Sequence, residues 1–91
     1  MAMRTVWMKI YEERVVQSLQ EAGQKLESAE AEVFLDFSSV LRIDSAGLIA
    51  LEEFASRADH KGVKVALRGV IVSVYKVLKL VKLTPRFSFV N

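Results

Sequence analysis

Short runs of β-forming residues alternate along the chain with stretches in which apolar positions recur at helical spacing. Residues 5–10 are rich in β-formers and predict a first strand. Residues 12–26 set Val15, Val16, Leu19, Ala22 and Leu26 at helical spacing between charged and amide side chains. That pattern predicts an amphipathic helix, weakened at Gly23 by about 1 kcal/mol relative to alanine. After a small, acidic connector at 27–32, Val33-Phe34-Leu35-Asp36-Phe37 is short and mostly apolar, as expected of a central strand buried on both faces. A loop at 38–44 follows. Ser45-Ala46-Gly47 then opens a helix in which Leu48, Leu51, Phe54 or Ala55, and Ala58 share a face, with Gly62 as its stop. Val63, Val65 and Leu67 alternate with Lys64 and Ala66, so the next strand has one more exposed face. Residues 70–83 are β-branched in content, yet Lys76, Lys79 and Lys82 recur every three residues, and the period decides for a helix ended by Thr84-Pro85. Residues 87–90 read as a last strand at a sheet edge.

The order β-α-β-α-β-α-β with short connections implies right-handed crossovers and a mainly parallel or mixed sheet. The expected fold is α/β: a small sandwich of four strands and three or more helices, forming a single domain over residues 1–91. Composition then removes chemistry. With no cysteine, disulfides and thiolate sites are excluded, and 52% apolar residues suffice for one core. Thirteen basic against eleven acidic residues leave +2, too little for a dedicated nucleic-acid surface unless the positives cluster. Arg4 and Lys9 interrupt any signal-like apolar run, and no uncharged stretch approaches the ~20 residues that span a bilayer. A soluble, cytoplasmic domain without a transmembrane segment is the expectation.

The segment that carries information is Asp36-Phe37-Ser38-Ser39-Val40-Leu41-Arg42-Ile43-Asp44-Ser45-Ala46-Gly47-Leu48. It resembles the signature of the STAS family, named for sulfate transporters and bacterial anti-sigma factor antagonists: an apolar strand ending Asp-hydrophobic-Ser, a loop, then Asp-Ser-Ser/Ala-Gly-Leu opening a helix. The resemblance continues through a glycine bend at Arg68-Gly69-Val70 and an apolar helix ending in Leu-Thr. The first third departs from it. Where the family has a longer hairpin ending Gly-hydrophobic-Leu-Asp, this chain has Ile10-Tyr11-Glu12-Glu13-Arg14, with Glu12 nearest the acidic position.

The resemblance implies that Ser45 is the phosphoacceptor of a partner kinase, and that Asp44, Ala46 and Gly47, with Ser38 and Ser39, face the partner. The chemistry of the position agrees. A serine at a helix N-cap points at orphan N–H groups, and the helix dipole accommodates a phosphate of about −1.5 to −2 there. Asp or Ser before an amphipathic run is also an ordinary cap. Ser38 and Ser39 read equally as turn residues, and Asp44 as a cap-region acceptor.

Other chemistries lack their parts. A receiver domain needs an acidic pair after its first strand around magnesium and a lysine after a later strand, and only Glu12 and Glu13 follow the first strand here. Asp-Ser-Ala-Gly lacks the leading glycine of a nucleophile elbow. The single histidine, His60, stands about 22 Å along the same helix from Ser45. The glycines are scattered, so there is no phosphate loop. No enzyme, cofactor or metal is expected. Two partner classes follow from the resemblance. One is a serine kinase that is also an anti-sigma factor, which makes the chain a phosphoprotein of transcription regulation. The other is the ATPase of a bacterial lipid-transport ABC system, on which a small STAS subunit docks; that branch often carries threonine where this chain has Ser45. The pattern sets no oligomeric state.

Overall fold

Four strands and three helices alternate in the computed structural model, which describes residues 5–26 and 32–90. They are β1 (Thr5–Lys9), α1 (Val15–Lys25), β2 (Glu32–Asp36), α2 (Ser45–Lys61), β3 (Lys64–Arg68), α3 (Val72–Leu80) and β4 (Ser88–Val90). The strands form one sheet in the order β1-β2-β3-β4, and every neighbouring pair is parallel. A sheet built by stepping always in one direction, with every crossover of the same hand, throws all its helices onto one face.

The core shows this. Ile10, Val33, Leu35, Phe37, Val65, Leu67 and Phe87 point from the sheet into one cluster with Leu19, Ala22 and Leu26 of the first helical segment, Leu51, Phe54, Ala55 and Ala58 of α2, and Val74 and Leu78 of α3. The expectation that residues 33–37 are buried on both faces is therefore corrected. Val33 and Leu35 are fully buried, while Phe34 and Asp36 on the opposite face are only half-buried. The run is apolar because Phe34 stacks on Trp7, at 4.8 Å between ring centroids, and not because a second helical layer covers it. β2 is one of two interior strands.

Boundaries move for local reasons. The first helix starts as a 3₁₀ turn, Glu12–Arg14, before α1 proper. Ser18, buried in α1, ties the two together: its hydroxyl donates to the Arg14 carbonyl at 2.8 Å and accepts from the Tyr11 amide at 3.2 Å. Of the expected connector, Glu32 belongs to β2 and 27–31 lie outside the described residues. Glycine at 23 has a packing reason, since the Arg57 side chain of α2 crosses α1 there and donates to the Gly23 carbonyl at 3.2 Å.

Both later helices end by the same device. After α2, Gly62 adopts φ 70°, its amide bonds to the Asp59 carbonyl, and the Val63 amide reaches back to Ala58. After α3, Lys82 adopts φ 63°, its amide bonds to Lys79, and the Leu83 amide reaches back to Leu78. Thr84-Pro85 therefore does not end the last helix. It opens the 3₁₀ turn Thr84–Arg86, and the helix stops earlier because the chain reverses to bury Leu83 beside Leu78. β4 is the edge strand expected, one residue shorter at its start.

Candidate functional site

Because all four strands run the same way, their carboxyl ends share one rim of the molecule, and the loops leaving them carry the chain to the helix starts. This rim is where open parallel sheets place their binding residues. The 38–44 loop lies here and is held by contacts along its length. Asp36 accepts from the Ser38 amide at 2.9 Å and pairs with Arg68 at 3.7 Å. Phe37 to Val40 makes a tight turn that buries Val40. The Ser39 hydroxyl donates to the Ile10 carbonyl at 3.1 Å, and Glu12 accepts from the amides of Leu41 and Arg42 at 2.8 and 3.1 Å. Glu12 thus links the 3₁₀ turn before α1 to the loop before α2. This is a specific task for the acidic residue where the sequence departs from the family pattern.

The Asp36 carboxyl feels opposing influences. Burial pushes it up, but the hydroxyl and amide hydrogen bonds from Ser38, with Arg68 and Lys9 nearby, hold it below the usual carboxylate range.

The helix start differs from expectation in one respect. Asp44, not Ser45, is the N-cap: its backbone is extended and its carboxylate accepts from the Gly47 amide at 2.8 Å, while its carbonyl takes the Leu48 amide at 2.9 Å. A carboxylate at this position also complements the positive end of the helix. Ser45 is displaced to the first helical residue, where it and Ala46 are exposed. The amides of these two residues have no partner within the helix by its geometry.

Gly47 is not at the surface. It is buried, and a side chain there would meet Ile43 at 2.8 Å and Val15 at 3.3 Å. The close approach that this glycine permits is that of the chain's own loop and first helix, not that of a partner. Ser38 is exposed, with the Gly69 backbone packed against it; Ser39 is half-buried and its hydroxyl is engaged internally.

The structure thus brings Ser38, Asp44, Ser45 and Ala46 to one rim and withdraws Gly47 and the Ser39 hydroxyl from it. It adds two residues that pattern reading passed over. Leu41, 60% exposed, tips the loop, and Ile49, 59% exposed, lies one helical turn beyond Ser45 on the same side of α2. A helical projection shows Ile49 off the core stripe of Leu51 and Phe54. Arg14 and Arg42 line a shallow depression together with Glu12, Glu13 and Asp44, so its charges are mixed. His60 is exposed in the last turn of α2, far from this rim. No cluster of acidic and histidine side chains able to hold a metal occurs among the described residues. Nor is any helix among them long and apolar enough to cross a membrane.

The STAS domain model matches residues 8–91. Among solved structures, a Thermotoga maritima protein proposed to be an anti-sigma factor antagonist, TM1081, has the same fold. Its crystal structure superposes with a TM-score of 0.74 at 22% identity, covering 94% of this chain and 73% of that one. Its NMR structure superposes at 0.75 and 21% identity, covering 92% and 72%. No curated protein matches the sequence closely.

Proposed function

The chain belongs to the STAS domain family, and on that premise we propose that it is a regulatory binding module of the anti-sigma factor antagonist kind, not an enzyme. It docks a serine kinase that doubles as an anti-sigma factor, and phosphorylation of Ser45 releases it. The observation that carries this reading is the placement of Ser45: exposed at the first residue of α2, directly after a loop tied down through Ser39 and Glu12, with the exposed Leu41 and Ile49 four residues to either side of it in sequence. A rigid rim with exposed aliphatic side chains suits docking without much ordering cost.

The capping geometry gives the switch its sense. The Gly47 amide is already satisfied by Asp44, so a phosphate on Ser45 is not needed to cap the helix. It would feel the dipole and the free amides of residues 45 and 46 as attraction, and the Asp44 carboxylate as repulsion. The helix therefore survives modification. What changes is the surface, where a bulky dianion replaces a small hydroxyl in the middle of an apolar contact.

The test is to purify the protein from its own cells with phosphatases blocked, and to map any phosphate. A single phosphate on Ser45, absent in Ser45→Ala, is expected. In affinity capture, wild type should retain an ATP-binding protein kinase that Ser45→Asp loses. Phosphate mapping to Ser38, Ser39 or Ser73 defeats the assignment. Capture of a transporter ATPase, insensitive to Ser45→Asp, moves the protein to the lipid-transport class.

A further inference from the structure

All-parallel sheets are found almost only with both faces covered, yet among the described residues the helices lie on one face. The other face presents three rows set by the strand register. The middle row is Trp7, Phe34, Ala66 and Ser88. The row toward the carboxyl ends is Lys9, Asp36, Arg68 and Val90, and the opposite row pairs Glu32 with Lys64. Trp7 is 55% exposed and stacked on Phe34, and Lys64, Ser88 and Val90 are exposed as well.

The charges on this face are sorted by strand. β2 carries Glu32 and Asp36, and its neighbour β3 carries Lys64 and Arg68. The sizes are sorted in the same way, with Phe34 on β2 level with Ala66 on β3. A two-fold axis parallel to the strands and midway between β2 and β3 exchanges these strands between two copies laid face to face. Glu32 then meets Lys64 of the second copy, Asp36 meets Arg68, and the Phe34 ring lies over Ala66, which is fully buried within its own copy. Trp7 reaches across to the β4 edge, where Ser88 leaves room. One operation thus satisfies charge and the exposed indole together, and the sheets pack in the aligned manner of a sandwich.

We propose that this open sheet face is a self-association surface, on which a second copy of the chain forms a two-fold dimer through Trp7, Phe34 and the crossed pairs Glu32–Lys64 and Asp36–Arg68. Three strands of five residues and an edge strand of three, about 4.8 Å apart, give a face no larger than roughly 19 by 17 Å. Such an area is at the low end for specific interfaces, so the dimer is weak, with a dissociation constant on the order of tens of micromolar. The helices, and with them the start of α2, face outward from the pair, so Ser45 stays free to meet its own partner.

Trp7 is the only tryptophan of the chain and sits in the proposed contact, which makes it the reporter. Sedimentation velocity across a dilution series should show a monomer–dimer equilibrium, with Trp7 emission shifting to the blue as dimer forms. Glu32→Lys and Lys64→Glu should each weaken the dimer at least about tenfold, because each places like charges opposite one another at two symmetric points. An equal mixture of the two variants should regain it, since unlike charges then face across the axis; lost intramolecular pairing cannot be rescued by mixing. Circular dichroism verifies that both variants fold, and the wild-type emission shift decides the matter if one does not. A monomer up to about millimolar concentration overturns the proposal, as does a dimer that leaves Trp7 emission unchanged or a mixture that fails to pair. Ser45→Asp should leave this equilibrium untouched, so the result stands apart from the phosphorylation test.

Discussion

Asp36 ends the central apolar strand at the point where the chain turns toward the site, and its ionisation is linked to stability. Its carboxyl is held below the unfolded value of about 3.8 by the Ser38 hydrogen bonds and by Arg68 and Lys9, in spite of burial. A group whose pKa is lowered on folding contributes stability that is fully present above the unfolded pKa and is lost as pH falls through the folded one. Urea midpoints measured from pH 6 down to pH 2.5 should fall more gently below about pH 4 in Asp36→Asn than in wild type; parallel curves would show that the ion pair and Ser38 do not favour the charged form. Asp44 is the cap-region acceptor that the sequence allowed, while Ser45, whose position in the sequence also fits a cap, is the first helical residue. Adjacent Asp44 and Ser45 are both competent N-caps, and linear order does not say which one adopts the extended backbone. That choice follows from where the 38–44 loop delivers the chain, and the loop is anchored by Glu12 and Ser39 through contacts about thirty residues apart in sequence.

Along α2, a series of substitutions separates core from surface. Leu51 is fully buried and should cost about 2 to 5 kcal/mol when cut to alanine. Gly47→Arg forces a side chain against Ile43 and Val15 and should cost about 1 to 3 kcal/mol by overpacking, so any binding it loses reports on the fold. Ile49→Asp, at an exposed position one turn from Ser45, should leave the urea midpoint nearly unchanged while abolishing capture of the partner kinase. If Ile49→Asp binds like wild type, this side of α2 is not the docking face. Helix identity and the buried stripe of α2 were legible in its period, and so was Gly62 at its end. The end of α3 was not, because Lys82 in a left-handed conformation carries no glycine signal; the reversal there is driven by burial of Leu83.

At the scale of the molecule, the chemistry available is that of a surface. The carboxylates on the rim of Ser45 are engaged with backbone amides, Asp44 with Gly47, Asp36 with Ser38 and Glu12 with Leu41 and Arg42, and the one histidine is at the opposite end of α2. The purified chain should therefore show no esterase, phosphatase or ATPase turnover, and turnover that survives repurification and vanishes in Ser45→Ala would contradict this. The alternation of strand and helix periods determined the α/β class, the four parallel-capable strands and the three helices, because side-chain periodicity is a local property of the backbone. The Asp-Ser-Ala-Gly-Leu segment carried the family resemblance, which the domain match over residues 8–91 bears out. Two features were decided only by tertiary structure. Whether an apolar strand is covered once or twice depends on which face its neighbours' crossovers occupy, and Val33-Phe34-Leu35 reads the same in either case. The one-directional order β1-β2-β3-β4 put the described helices on one side, leaving Trp7 exposed and Phe34 only half-buried. Likewise Gly47 reads as a surface glycine in sequence and is buried in the fold, because the residues that fill its space, Ile43 and Val15, come from a loop and a helix that only the folded chain brings together.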